Sequence, residues 1–560
     1  MSFTAWFATL RRWLWLRNRR RLRRRELARA LGYMEWCRRH DQPDASAMQD
    51  LRGRVADPLP RLTLHMAMDG ATPAALQATL DSLQTQLHAD WQLRLTGSGA
   101  SAVLDWARQA QARDARVLAG PGAMPPAPWQ GCTRPGDVWR PHALLLLAQS
   151  AGRDAATRLV YADHDTQDAS GVRRDPVFKC DWNPELLWSH DFIGRAAFWR
   201  VAEAQPGPDG THDFALRAAA ALADDQVRHV PHVLLHCADP ALDADTQAVG
   251  RHLARRGIAG ECEHTRFGVR VRLALPARPP RVSLIIPTRN GLHLLQRCMD
   301  TLLRLTDYPD FEVVVIDNGS DDPACLRYLH SLAADARVRV RRDDGPFNFA
   351  ALNNAAVADC RGGLLAFVNN DIEVIDGGWL REMASLALLP GIGAVGARLL
   401  YADRTLQHAG VILGIQGTCG HGLRRLLPDE GGYLGRARRL MGLSAVTAAC
   451  LVVQREHFLR VGGFDAEHFA VAFNDVDLCL RLRAAGLRNL YTPHAVLVHH
   501  ELSTRGSDGS GPRRERFLRE RDAFRARWAA LLDADPAYNP NLTLNDESFG
   551  LADPPRAGLW

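Results

Sequence analysis

In the second half of the chain, short apolar runs alternate with amphipathic stretches. Val282–Ile286, Glu312–Ile316 and Leu364–Val368 have strand length, are rich in β-branched residues, and each runs into a polar turn. Leu292–Leu303 and Phe349–Ala358 lie between them with helical spacing of apolar positions, and a further helix is expected near Asn474. Alternating strand and helix segments predict a mainly parallel sheet with helices on both faces. Ligands of such sheets sit at the carboxyl ends of the strands, so the polar turns are where chemistry is expected. They read Pro287-Thr288-Arg289-Asn290, Asp317-Asn318-Gly319-Ser320 and Asn369-Asn370-Asp371-Ile372-Glu373. Farther on come Gly462–Asp465, Phe473–Leu478 and, after the strand-like Ala495–Val498, His499-His500-Glu501.

The first half echoes this pattern. Asp81-Ser-Leu leads to Trp91–Ser98 much as Asp300-Thr-Leu leads to Phe311–Ser320. Asp213 and Asp475 each stand 18 residues ahead of a proline, Pro231 and Pro493, that opens an apolar run ending in histidine. Matching segments in the same order predict a duplication. The Pro-rich stretch Pro276–Pro280 marks the join. The expected divisions are a basic segment at 1–55, a first domain at 56–277, a second at 278–535 and an irregular tail at 536–560.

Composition adds little to this picture except at the N-terminus. The chain has 560 residues, 46% hydrophobic and 24% charged, with a formal net charge of +6, as expected of about three ordinary folded units. An acid-free basic run from Arg11 to Arg25 lies beside Trp6, Trp13 and Trp15. Aromatic rings beside arginines suit a membrane–water interface, so this segment is expected to be an amphipathic helix on a membrane surface. A basic helix packed on its own protein and a nucleic-acid arm are the alternatives; no nucleic acid is expected. No apolar run is long enough to span a bilayer, and the N-terminus lacks the order of a secretory signal. The 11 cysteines show no paired spacing, which argues against a disulfide framework and for a reducing compartment. The expected location is the cytoplasm, peripherally on the inner face of the cytoplasmic membrane.

The motifs of the second half resemble those of family-2 glycosyltransferases, which have the GT-A nucleotide-diphospho-sugar transferase fold. The similarity is greatest to bacterial enzymes of O-antigen and other surface polysaccharide assembly. It rests on NNDIEV (from Asn369), QHAG (Gln407–Gly410), SAVTAAC (Ser444–Cys450), VGGFD (ending at Asp465), FNDVDLCLR (from Phe473) and HHELSTRG (His499–Gly506). The first half resembles the N-terminal repeat of two-domain members through DPVFKCDWNPELL (Asp175–Leu187). Its active-site positions look degenerate. Ala67-Met68-Asp69-Gly70 replaces a Pro-x-Tyr-Asn turn, Thr96-Gly97-Ser98 lacks the aspartate, and Asp137 alone remains of the acidic cluster. The expectation is an α/β chain of tandem GT-A copies, the first without catalysis, preceded by the basic amphipathic helix.

The resemblance also implies roles. Expelling a nucleoside diphosphate from an anomeric carbon builds negative charge, which a divalent cation neutralises. Hard oxygen ligands suit Mg²⁺ or Mn²⁺. Asp371 stands at the last position of the family's D-x-D motif, with Asn369 at the first, and His499 or His500 would complete the metal site. Asp317 would read the base of the donor. Pro287, Thr288, Arg289, Asn290, Asn318, Asn353, Asn369, Asn370 and Arg505 would line the donor site. Gly463, Phe464, Asp465, Asn474 and Asp477 would face the acceptor. Asp475 would be the general base of an inverting transfer. The implied partners are a nucleoside-diphosphate sugar, a glycan or lipid-linked acceptor and the membrane surface. The competing expectation is a non-catalytic glycan-binding or scaffold protein of polysaccharide assembly.

Overall fold

The computed structural model describes residues 31–53, 59–120, 127–168, 170–200, 210–220, 222–239, 244–500 and 511–558. The arginine run and Arg505 lie outside the described residues. The first sheet comprises β1 (Leu62–Ala67), β2 (Trp91–Thr96), β3 (Val117–Ala119), β4 (Trp129–Thr133), β5 (Val138–Trp139), β6 (Leu159–Gln167), β7 (Arg173–Val177), β8 (Ala197–Arg200) and β9 (Val227–Cys237). A hairpin of β10 (Gly260–Thr265) and β11 (Gly268–Leu273) follows. The second sheet begins with β12 (Val282–Thr288), β13 (Phe311–Asp317), β14 (Val338–Arg342), β15 (Leu364–Val368), β16 (Ile372–Val374), β17 (Ile392–Leu400) and β18 (Leu406–His408). A small pair, β19 (Val411–Leu413) and β20 (Cys419–His421), interrupts it before β21 (Met441–Leu443), β22 (Cys450–Gln454) and β23 (Arg488–His499) complete it.

The two sheets trace the same path. The first runs β3-β2-β1-β4-β8-β6-β9-β5 with β7 on β6, and the second runs β14-β13-β12-β15-β22-β17-β23-β16 with β18 on β17. Directions match as well. The pair β1·β4 is parallel like β12·β15, β4·β8 antiparallel like β15·β22, β6·β9 parallel like β17·β23, and β5·β9 antiparallel like β16·β23. Each sheet is therefore mixed, where the alternation of strands and helices predicted a mainly parallel one. Helical crossovers keep β12, β13, β14 and β15 parallel, but β22 enters antiparallel between β15 and β17.

A cluster with Trp36, Phe178 and Tyr538 joins the tail to both halves, and two larger apolar layers hold the sheets. One is packed around the first sheet by Leu64, Trp91, Trp139 and Phe198. The other runs through the second sheet and includes Leu187, Trp188 and Phe192 from the first half. The segment Asp175–Leu187 forms the seam between the halves. Asn183 exchanges two hydrogen bonds with the Gly442 backbone, at 2.8 and 2.9 Å, and Glu185 forms an ion pair with Arg488 at 2.9 Å. All eleven cysteines are free thiols, most of them buried. Among the described residues, no helix is long and apolar enough to cross a membrane.

The tail packs against the first half. Asn539 Nδ2 donates to Asp163 Oδ2 at 2.8 Å and Asn541 Nδ2 to Pro231 O at 2.8 Å, while Trp36 Nε1 donates to Ala552 O at 2.8 Å. Beneath it, His229 lies between Asp163 and Asp181, its two ring nitrogens 2.9 and 3.0 Å from their oxygens. Burial opposes its charge, but the two carboxylates win and raise it to about 9. Because the folded value lies above the ordinary histidine value, this contribution to stability is complete below about pH 6.5 and is lost as pH rises through about 9. Urea unfolding at several pH values should therefore show wild type and His229→Gln converging between those limits. A stability gap that widens with pH would refute this account.

Candidate functional site

The carboxyl ends of β12, β13 and β15 lie side by side. Thr288 pairs with Asp317 across β12 and β13, and Asn318 N donates to Thr288 O at 2.9 Å. Gly319 takes φ 68°, a left-handed turn that brings Ser320 N to within 2.9 Å of Asp317 Oδ1. Asp317 is 3% exposed, and its other oxygen receives Arg342 Nη1 at 2.6 Å. Arg342, at the end of β14, also donates to Ser320 O at 2.8 Å, so it clamps the whole turn. Asn290, itself left-handed at φ 51°, ties this turn to β12 through Ser320, Asp321 and Asp322. Pro287 is half-buried and Arg289 exposed at the end of β12. Asn318 is buried with Oδ1 unpaired, while its amide nitrogen holds the carbonyls of Asp343 and Gly345.

Continuing along the same edge, Asn370 Nδ2 donates to Thr288 Oγ1 at 2.9 Å, and Asn369 N donates to Ala449 O at 3.0 Å. The neighbouring Ala448 N donates to Asp475 Oδ2 at 3.0 Å. Separate hydrogen bonds thus tie the turn after β12 to Asn318 and Asn370, and tie segment 448–449 to Asn369 and Asp475, along one sheet edge. Asp475 sits in the first turn of the helix Asn474–Ala484, where Val476 N supplies a second donor at 2.9 Å. The residue before that helix, Phe473, has φ 62°, a conformation that costs a residue with a Cβ about 1–3 kcal/mol. Stacking on Phe524 of the helix Gly511–Asp533, at 4.8 Å and 16°, holds it there.

Asp371 and His499 form the second centre. Register sets Ile372 of β16 opposite His499 of β23. Gln407 Oε1 stands 2.8 Å from His499 Nδ1, placed to accept a hydrogen bond from it. His499 Nε2 is 3.1 Å from the buried Asp371 Oδ1. Asn369 Nδ2 lies 3.3 Å from the same nitrogen. A carboxylate oxygen and an imidazole nitrogen thus face one another, atom types that a hard or borderline cation takes as ligands. Burial opposes ionisation of Asp371, but the neighbouring imidazoles outweigh it and hold the carboxyl below its ordinary value. His500 does not join this pair. Its Nε2 meets Glu373 at 2.7 Å and its ring meets Arg297, so of the two adjacent histidines only His499 turns to Asp371. Among the described residues, no group of three or more His, Cys, Asp or Glu surrounds a common point.

His408 follows Gln407 on β18. His408 is neutral, held far below its ordinary value by burial and by His421 and His499. Its Nδ1 lies 2.8 Å from His421 Nδ1. Gly410, left-handed at φ 97°, carries the chain from these two residues into β19. No local pattern in the sequence points to the roles of Gln407, His408, His421 and Arg342. The QHAG motif contains the first two but names no partner for them, and no motif covers Arg342.

Several residues expected to face an acceptor hold the scaffold instead. Asp477 is fully buried, its carboxylate taken by Arg481 at 2.7 Å, Arg527 at 2.9 Å and Trp528 at 3.1 Å. Phe464 is buried against Phe349, Phe367 and Phe458, and Gly463 O accepts from Arg481 at 2.7 Å. Asn474 turns its amide to Val471 O at 2.8 Å. Asp465 caps its own turn and pairs with Arg527 at 2.8 Å. Partial burial opposes its ionisation, but the His468 backbone and Arg527 lower it to about 2. Asn353, expected at the donor, is fully buried and donates to Phe349 O at 2.7 Å.

The first sheet places different chemistry at equivalent positions. Val138 faces His236 as Ile372 faces His499, so Asp137 precedes β5 as Asp371 precedes β16. Asp137 is fully buried and bound in a two-point ion pair to Arg195, at 2.8 and 3.0 Å. His236 turns away to Asp165. Asp213, in the helix Gly210–Ala219, is paired with Arg217 at 2.7 Å and Arg251 at 3.0 Å.

Residues 283–430 match the family model described as "Glycosyl transferase family 2". The chain is 37% identical over 556 residues to y4gI of Sinorhizobium fredii, described as uncharacterized, covering 90% of this chain and 61% of that one. It is 34% identical over 567 residues to the O-antigen biosynthesis protein RfbC of Myxococcus xanthus, covering 94% of this chain and 44% of that one. The chain therefore spans less than two thirds of either relative. Among solved structures, the mannosyltransferase PcManGT from Pyrobaculum calidifontis, in complex with GDP-Man and Mn2+, is similar at 21% identity. That match has a TM-score of 0.34 and covers 45% of this chain and 66% of that one.

Proposed function

The second half of the chain carries a domain of glycosyl transferase family 2, and on that premise we propose that it moves a sugar from a nucleoside-diphosphate donor to a growing surface polysaccharide or lipid-linked glycan. The single observation that carries this reading is that register and hydrogen bonds set the turns holding Asp317 and Asn369–Asp371 at one sheet edge, with Asp475 tied to the segment that holds Asn369 and with His499 against Asp371. Asp317, fixed by Arg342, offers its remaining lone pairs to the base of the nucleotide. Asp475 accepts the proton of the attacking acceptor hydroxyl, and attack from that side inverts the anomeric carbon.

A divalent cation, Mg²⁺ or Mn²⁺, would be held by Asp371 Oδ1 and by His499 Nε2 in its unprotonated form, which stand 3.1 Å apart. When bound it would neutralise charge on the departing diphosphate. Gln407, at His499 Nδ1, would orient the ring for such a site, and Asn369 lies beside it. The first half is the non-catalytic copy of a tandem pair. Arg195 occupies the charge position beside Asp137 that a metal would need, and Asp213 is neutralised by Arg217 and Arg251. Its work is to brace the second half through Asn183 and Glu185. The basic N-terminal segment would hold the enzyme peripherally on the inner face of the cytoplasmic membrane.

Thermal unfolding with a panel of nucleoside-diphosphate sugars, with and without Mn²⁺, tests the donor site. A donor at 100 times its Kd should add about 2.7 kcal/mol to wild type in the presence of metal. That gain should vanish in Asp371→Asn. Gln407→Leu should need roughly 10–100-fold more Mn²⁺ to restore it, as expected when an orienting partner of a metal ligand is removed. Metal-independent donor binding of equal strength in all three proteins would rule out this assignment.

A further inference from the structure

In the segment Asp181–Glu185 every polar side chain but one has a fixed partner. Asp181 pairs with His229, Asn183 with Gly442 and Glu185 with Arg488. The exception is Trp182. It rests on Phe192, ring centres 6.5 Å apart, and stays half-buried, its indole N–H without a hydrogen bond among the described residues. Trp182 lines a shallow, open cleft at the seam of the two halves. Asp224, just ahead of β9, lines the same cleft from the first half, and Arg483 and Arg488 line it from the second.

Two more groups in the cleft are uncommitted. Arg483 is half-buried and Asp224 exposed, and among the described residues neither side chain makes a hydrogen bond or an ion pair. Neither charge is isolated, since the field of Asp224 reaches Arg488 and that of Arg483 reaches Asp535. Those two are engaged elsewhere. Arg488 is held by Glu185, and the buried Asp535 accepts from Ser444 Oγ, Leu413 N and Ala537 N. The cleft is therefore lined by two guanidinium groups and two carboxylates, so it carries no net charge. What it offers a ligand is an aromatic ring with an N–H, one guanidinium fork and one carboxylate.

An anion would meet carboxylates here, and a cation guanidinium groups. A neutral sugar suits every group at once. Its C–H face packs on an aromatic ring, and its hydroxyls accept from N–H groups and donate to a carboxylate. We infer that Trp182, Asp224 and Arg483 form a binding site for a neutral oligosaccharide, a stretch of the acceptor glycan held away from the point of transfer. The open form of the cleft suits a stretch within a longer chain. Arg483 lies in the last turn of the helix Asn474–Ala484, and Asp475 in its first, so the two stand about 12 Å apart along the helix axis. That the glycan is an acceptor rests on the transfer proposed above; that a glycan binds does not. Both halves build the cleft, which gives the non-catalytic copy a use besides bracing.

An array of oligosaccharides from bacterial surface polysaccharides, probed with the full chain in the absence of donor and divalent metal, tests the site. Saturable binding to at least one neutral oligosaccharide is expected. It should weaken about tenfold or more in Arg483→Met and in Trp182→Ala, the loss expected when a hydrogen bond to a charged group or a stacking face is removed. Should Trp182→Ala not fold, Asp224→Asn gives the second reading. Asp371→Asn, at the transfer edge, should bind as wild type does. Wild-type affinity in Arg483→Met, loss of binding in Asp371→Asn, or binding of no oligosaccharide on the array would overturn the site. Failure of the transfer reading looks different: glycans bind with the expected variant pattern, and no nucleoside-diphosphate sugar shifts the melting temperature.

Discussion

Asp475→Asn is expected to lower sugar transfer by about 10²–10⁴-fold, the contribution typical of a general base, while donor affinity and melting temperature stay at wild-type values. Asparagine keeps a carbonyl oxygen that can accept from Ala448 N, so the turn bridging Asp475 to Asn369 survives. What is lost is the ability to take a proton. Loss should therefore appear in kcat and kcat/KM alike, as when an interaction made only in the transition state is removed. The matching measurement is steady-state transfer to a glycan acceptor, with donor binding followed separately by thermal shift. If Asp475→Asn keeps more than about a tenth of wild-type turnover, another group deprotonates the acceptor.

Two residues further on, the opposite outcome is expected. Asp477→Ala should cost about 3–5 kcal/mol of stability, the penalty for removing one partner of a buried ion pair. Its carboxylate is fully buried and receives Arg481, Arg527 and Trp528. Arg527 and Trp528 belong to the helix Gly511–Asp533, whose Phe524 also stacks on Phe473. Losing Asp477 therefore loosens the helix that holds Phe473 in its left-handed conformation. Urea unfolding should show the loss directly, with turnover per folded molecule retained at low temperature. A variant that melts like wild type but shows a raised acceptor KM would return Asp477 to the acceptor site, where the motif had placed it.

These two aspartates show where motif reading succeeds and where it stops. Both lie in FNDVDLCLR, and a linear pattern cannot say which faces the edge and which faces the core. Helix geometry decides it, since two steps along a helix turn a side chain by about 200°. His499 and His500 pose the same problem on a strand, where neighbours alternate between faces. Register against β16 settles which one meets Asp371. Phe464 and Asn353 sit in motifs that read as contact residues, yet packing claims them for the core.

The sequence by itself determined the strand and helix order of the second half, the turns that carry Asp317, Asp371 and Asp475, and the echo between the halves. These follow from local periodicity and from turn chemistry, which act over a few residues. Tertiary structure alone decided the antiparallel entry of β22, the clamp of Arg342 on Asp317 and the orientation of His499 by Gln407. It also decided the replacement of a free carboxylate by the Asp137–Arg195 pair in the first sheet. Each of these joins residues distant in the chain, through sheet register and burial of charge, and neither register nor burial is written in any short window of sequence.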